Sequence, residues 1–137
     1  MVSGQWLVVG EKVAVQSYRQ LIAWQKAMEL VALVDGLTDK FPREELFGLT
    51  SQVRRAVVSV PSNIAEGQGR DSTKDFIRYL SIAYGSLMET ETQILIAEMR
   101  EYVSSDNYRN VLEKSADVGS LVNGLSRSLV KKLDACD

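Results

Sequence analysis

The sequence predicts an all-α protein, an antiparallel up-down-up-down four-helix bundle with a short irregular N-terminal extension. Two observations carry this. Four separate stretches repeat apolar residues at three- and four-residue steps. Capping residues, prolines and short polar turns separate them. Residues 17–134 then form one bundle domain, and residues 1–16 stand outside it.

The extension, Met1–Gln16, holds the apolar run Trp6-Leu7-Val8-Val9 and a weak alternation at Val13 and Val15, but no helical period. No basic residue precedes that run, so it does not read as a secretory leader. The first helix is expected from Ser17, where Ser17-Tyr18-Arg19-Gln20 has the form of a capping box. Its stripe is Trp24, Ala27, Met28, Val31, Val34 and Phe41, and Pro42 closes it. The second is expected over 44–66, with Leu46, Leu49, Val53, Ala56, Val57, Val60 and Ile64 on one face. Glu44 and Glu45 would sit at its positive end. Pro61 should kink it, and Gly67 should end it as a left-handed cap.

Ser72, with Asp75 three residues on, marks the start of the third helix, over 73–102. Phe76, Leu80, Ala83, Leu87, Thr90, Ile94 and Ala97 form its seam. A second apolar set, Ile77, Tyr84, Met88, Leu95 and Tyr102, lies beside that seam. This helix is therefore either central in the bundle or in contact with a partner chain. Ser104-Ser105-Asp106 caps the fourth helix, over 107–133, whose seam includes Val111, Val118, Val122 and Leu125.

Composition narrows the chemistry. The 137 residues include no His and a single Cys. That removes Ser-His-Asp and Cys-His nucleophiles, His-ligated zinc and haem, and any disulfide framework. A di-iron bundle site needs Glu-x-x-His pairs and is excluded with them. Glu89, Glu91, Glu98 and Glu101 read as a solvated acidic face rather than an oxygen-only metal site. No catalytic residue, metal or cofactor is expected. No apolar run is long enough for a membrane span, and the cytoplasm is the expected compartment.

Two polar features stand out. On the second helix Gln52, Arg55, Ser59, Asn63 and Glu66 share a face, and Ser86, Glu89 and Gln93 form a matching line on the third. An antiparallel hairpin would set Arg55 against Glu89. Arg54, Arg55, Arg70, Lys74 and Arg78 crowd the same hairpin in sequence and are the candidate RNA- or partner-binding residues. The net charge of −2 argues against a general nucleic-acid binder but leaves such a local basic face open.

Several blocks then form a family pattern: Trp24-Gln25-Lys26-Ala27-Met28-Glu29-Leu30, Phe41-Pro42 with Glu44, and Gly48-Leu49-Thr50-Ser51-Gln52-Val53-Arg54-Arg55-Ala56. The most specific is Ser59-Val60-Pro61-Ser62-Asn63-Ile64-Ala65-Glu66-Gly67, followed by Gly69-Arg70 and by Gly85-Ser86-Leu87 with Glu89 and Glu91. This resembles the bacterial 23S rRNA-intervening-sequence proteins, over residues 17–133. It is more distantly similar to the accessory ring proteins of diversity-generating retroelements, which bind reverse transcriptase and nucleic acid. The resemblance implies a non-catalytic four-helix bundle that assembles with itself as a ring, a homopentamer. It implies a scaffold or adaptor role in a protein or ribonucleoprotein assembly. Its alternative is direct RNA binding by the basic hairpin face. Gln52, Arg55, Asn63, Glu66, Gly67 and Glu89 are the family-pattern positions, with structural jobs at the hairpin. The retroelement branch is basic where this chain is acidic, and residues 1–16 lie outside the resemblance.

Overall fold

The computed structural model describes residues 17–136, so the extension with Trp6, Val13 and Val15 lies outside the described residues. Four helices follow in order: α1 Ile22–Thr38, α2 Leu49–Gln68, α3 Thr73–Met99 and α4 Ser105–Cys136. Each packs on its sequence neighbours, and α1 closes the ring of contacts against α4. This is the up-down-up-down bundle that the short connectors require. Leu30, Val34, Val53, Val57, Val60, Ile64, Leu80, Leu87, Ile94, Val111, Val118 and Val122 fill its axis, all essentially inaccessible to water.

The inner face of α1 differs from the expected stripe. It is Ala23, Ala27, Leu30 and Val34; Trp24 and Val31 lie at its border, and Met28 is exposed. Small alanines let the α1 backbone approach the core and push the larger side chains to its edge. The Ser17 box is also replaced. Tyr18–Gln20 forms a 3-10 turn, Ser17 Oγ accepts from the Arg19 N–H at 3.1 Å, and α1 begins only at Ile22. The Gln25 side chain donates to the Arg19 carbonyl at 2.8 Å and pins this turn to α1.

Helix α1 stops at Thr38, three residues before Phe41, which enters the core from the connection and packs against Tyr102 with ring centroids 5.5 Å apart. Residues Arg43–Glu45 form a second 3-10 turn, so α2 starts at Leu49 rather than at Glu44. Its N-cap is Gly48, which has no side chain to offer. Glu45 supplies the missing acceptor, with Oε1 3.2 Å from the Leu49 N–H.

Helix α2 continues through buried Pro61 to Gln68. Gly67 is therefore helical and not a left-handed cap. A Cβ built there would lie 2.7 Å from Tyr79 Cβ and 3.0 Å from Phe76 Cδ1. Glycine is needed at this position because α3 passes too close for any side chain. The Ser72 cap forms as expected, its Oγ accepting from the Asp75 N–H at 3.2 Å. Ser104 Oγ likewise accepts from Asn107 N at 3.1 Å at the head of α4.

Helix α3 ends three residues early, at Met99. The Tyr102 N–H donates to the Ala97 carbonyl and the Glu101 N–H to that of Glu98, at 2.9 Å each. Glu101 has φ of 66°. This is a Schellman ending with a glutamate in the left-handed position that glycine prefers.

Candidate functional site: a polar seam between α2 and α3

Helical spacing puts Gln52, Ser59, Asn63 and Glu66 on the side of α2 that meets α3, and the structure joins the two lines. Ser59 Oγ and Ser86 Oγ share a hydrogen bond at 2.9 Å. Asn63 Nδ2 donates to the Ser59 carbonyl at 2.8 Å and to its hydroxyl at 2.9 Å. At the hairpin end Arg70 Nη2 donates to Glu66 Oε2 at 2.9 Å and to Tyr79 Oη at 2.6 Å. Tyr79 Oη in turn donates to Glu66 Oε2 at 3.2 Å. The Glu66 carboxylate, with the tyrosine beside it, raises the Arg70 pKa above its ordinary value.

Midway, the seam opens into a shallow cleft of about 230 Å³ lined by Gln52, Arg55, Ala56, Ser59 and Glu89. Arg55 and Glu89 thus share a surface, but the expected pair between them is not made. Arg55 Nη2 donates to Ser51 Oγ at 3.0 Å, and Glu89 accepts from Gln93 Nε2 at 3.3 Å. Both side chains find a partner one turn away on their own helix, which costs less side-chain ordering than reaching across.

The structure does not gather the five basic candidates into one patch. Arg54 leaves the seam altogether: its Nε donates to Thr38 Oγ1 and its Nη2 to Asp39 Oδ1, both at 2.9 Å, at the end of α1. Arg55 and Arg70 are fifteen positions apart, about 22 Å along the helix. Only Arg70, Lys74 and Arg78 share the hairpin end, and the Arg70 and Arg78 guanidinium groups lie 5.1 and 4.7 Å from the Tyr79 ring centroid.

The core absorbs most of the second apolar set of α3. Tyr84, Met88 and Tyr102 pack on the core, Tyr84 against Gly119 of α4. Leu95 stays on the surface. The carboxylates of α3 are separated in their contacts: Glu91 accepts from buried Ser115, Glu98 from Ser105, and Glu89 from Gln93. Among the described residues no three acidic or Cys side chains stand close enough to hold a metal ion. No helix among them is long and apolar enough to cross a membrane.

Sequence reasoning missed the reach of Glu45. Besides capping α2, its Oε2 accepts from Arg100 Nη1 at 3.0 Å and from Tyr102 Oη at 2.8 Å. One carboxylate thereby ties the α1–α2 connection to the α3–α4 connection. Its partners lie 55 and 57 residues away, so no local pattern could have found them. The same end of the molecule carries Phe47, 93% exposed, with Leu46 at 46% and Met99 at 72%.

These features define a class: a four-helix bundle whose central hairpin is held by an interdigitated polar seam. Within that class the chain belongs to the 23S rRNA-intervening sequence protein family, whose pattern matches residues 19–124. Among solved structures it is similar to a protein of unknown function from the S23 ribosomal protein family of Bacteroides thetaiotaomicron. The two are 24% identical and superpose with a TM-score of 0.71, over 77% of this chain and 98% of the other. At that identity the likeness speaks for the fold. No curated protein matches the chain.

Proposed function

We propose that this protein is a non-catalytic scaffold that assembles with itself, as the ring-forming homopentamer expected for its family, and presents an adaptor surface to a protein or ribonucleoprotein partner in the cytoplasm. The observation that carries this reading is the apolar end formed by Leu46, Phe47 and Met99. A phenylalanine 93% exposed on a connection pinned by Glu45 loses little conformational entropy when covered, and apolar surface of this kind marks association sites. The chain's lack of histidine supports the non-catalytic part of the reading. Light scattering at micromolar concentration tests it. The wild-type chain is expected to run as an oligomer, and Phe47→Asp to shift it toward monomer with unchanged helicity. A monomeric wild type overturns it.

Direct RNA binding is the second reading, and the α3–α4 register favours it. The Ser115–Glu91 hydrogen bond and the Tyr84–Gly119 contact set the two helices side by side. At that register Lys74 and Arg78 of α3 stand level with Lys131 and Arg127 of α4. Binding through these groups would weaken steeply with salt and fall on Lys74→Glu with Arg78→Glu. A filter-binding titration with structured RNA at low and physiological salt decides it. Binding that persists at physiological salt and depends on these residues would replace the scaffold reading.

A further inference from the structure

The α1–α2 side of the bundle carries an apolar cleft of about 320 Å³, lined by Tyr18, Trp24, Met28, Val31, Val58 and Pro61, with Ser62 at its edge. Met28 and Val58 remain 43% and 46% exposed there. We infer that the cleft is the docking site of the chain's own N-terminal segment, with Trp6–Val9 and Val13–Val15 as its apolar anchors.

Chain continuity selects this occupant. Tyr18, which lines the cleft, is separated from the segment by Ser17 alone. Ring contacts build this side of the cleft: Tyr18 meets Trp24 edge-on at 5.1 Å between centroids, and the Arg19 guanidinium lies 5.5 and 5.9 Å from those two rings. The Ser17 hydrogen bond and the Gln25 clamp hold the turn, and Ser17 itself is extended, with φ −75° and ψ 139°. The chain is thus launched from the cleft's own rim. From Trp24 to Val31 the cleft follows about 10 Å of α1. At about 3.3 Å per extended residue the sixteen preceding residues exceed that several-fold. Val13 and Val15, two apart, would face the same way in an extended chain. Effective concentration favours this tethered segment over a second copy. The family match begins at residue 19, so the segment lies outside the matched pattern.

Tryptophan fluorescence tests it on the full chain. The protein has two tryptophans, so Trp24→Phe leaves Trp6 as the sole reporter. Its emission is expected to be blue-shifted, and its quenching by acrylamide several-fold slower than in a free peptide of residues 1–16, at every protein concentration. Met28→Asp or Val58→Asp should restore peptide-like quenching while far-ultraviolet ellipticity is kept. A second measurement, also in the Trp24→Phe background, leaves Met28 and Val58 in place. With Cys136→Ser, a nitroxide on Ser62→Cys should quench Trp6, and one on Ser81→Cys, on exposed α3 surface, should not. Peptide-like quenching in the parent chain overturns the proposal. So does protection that disappears on dilution, which would assign the cleft to a second copy. Equal quenching from both nitroxides overturns it as well.

Discussion

Glu45 collects a backbone N–H from α2, a phenol and a guanidinium from the far connection, and these hold its acidity in an unusual place. The Tyr102 hydrogen bond first, then the Leu49 N–H, with Arg100 adding to them, lower its pKa below the ordinary carboxylate range; the same bond raises that of Tyr102. The folded state therefore holds this proton less tightly than the unfolded chain does. Its contribution to stability is present above the unfolded glutamate pKa of about 4.3 and is lost as pH falls through the lower folded value. Urea unfolding from pH 6 downward should show wild type losing its advantage over Glu45→Gln below roughly pH 5. Parallel pH curves would show that the carboxylate is idle. Glu101 makes a simpler case. Its left-handed backbone disfavours any residue with a Cβ, and Glu101→Gly should stabilise the protein by about 0.5–1 kcal/mol, read as a raised urea midpoint.

Glycines within the helices separate two roles at the scale of the element. A Cβ at Gly36 or Gly85 meets nothing within 4 Å, so alanine at either should gain about 0.5–1 kcal/mol from helix propensity alone. At Gly67 the obstacle is the Cβ of Tyr79, which cannot swing aside, and the hairpin must part. Overpacking of that kind costs about 1–3 kcal/mol, only partly offset by alanine's propensity, so Gly67→Ala should lower the midpoint. The count and order of helices, the Ser72 and Ser104 caps, and the facing polar lines of α2 and α3 were all legible, because each is written in local spacing. The hydroxyl bond from Ser59 to Ser86 follows directly from that spacing. Half of the inner face of α1 was legible, in Ala27 and Val34; Ala23 and Leu30 were not, since the stripe drawn through Trp24, Met28 and Val31 lies to one side of the true face. Nor was the dispersal of Arg54, Arg55 and Arg70. Position along a helix gives an azimuth, and the acceptor that each guanidinium finds at that azimuth belongs to the tertiary structure.

For the whole molecule, the contrast between its two ends matters most. The connections at 39–48 and 100–104 are locked together by Glu45, and that end carries the exposed Leu46 and Phe47 with Met99 at the close of α3. The opposite end holds the α2–α3 turn and the cations of Lys74, Arg78, Arg127 and Lys131. Phe47→Asp should therefore alter association state and leave the urea midpoint of the dissociated chain within about 0.5 kcal/mol of wild type. Lys74→Glu should leave association intact. Sedimentation of both variants at matched concentration checks the separation. If Lys74→Glu changes the association state, the cationic end takes part in the proposed self-association.

The close approach at Gly67 also bears on the order of events as the chain folds. Only four residues separate α2 from α3, so closing this hairpin costs little loop entropy compared with bringing α1 to α4. Its contacts should be present in the transition state, ahead of the α1–α4 closure. In stopped-flow experiments Gly67→Ala is then expected to slow refolding more than it speeds unfolding. A core substitution on α1 such as Leu30→Ala should do the reverse.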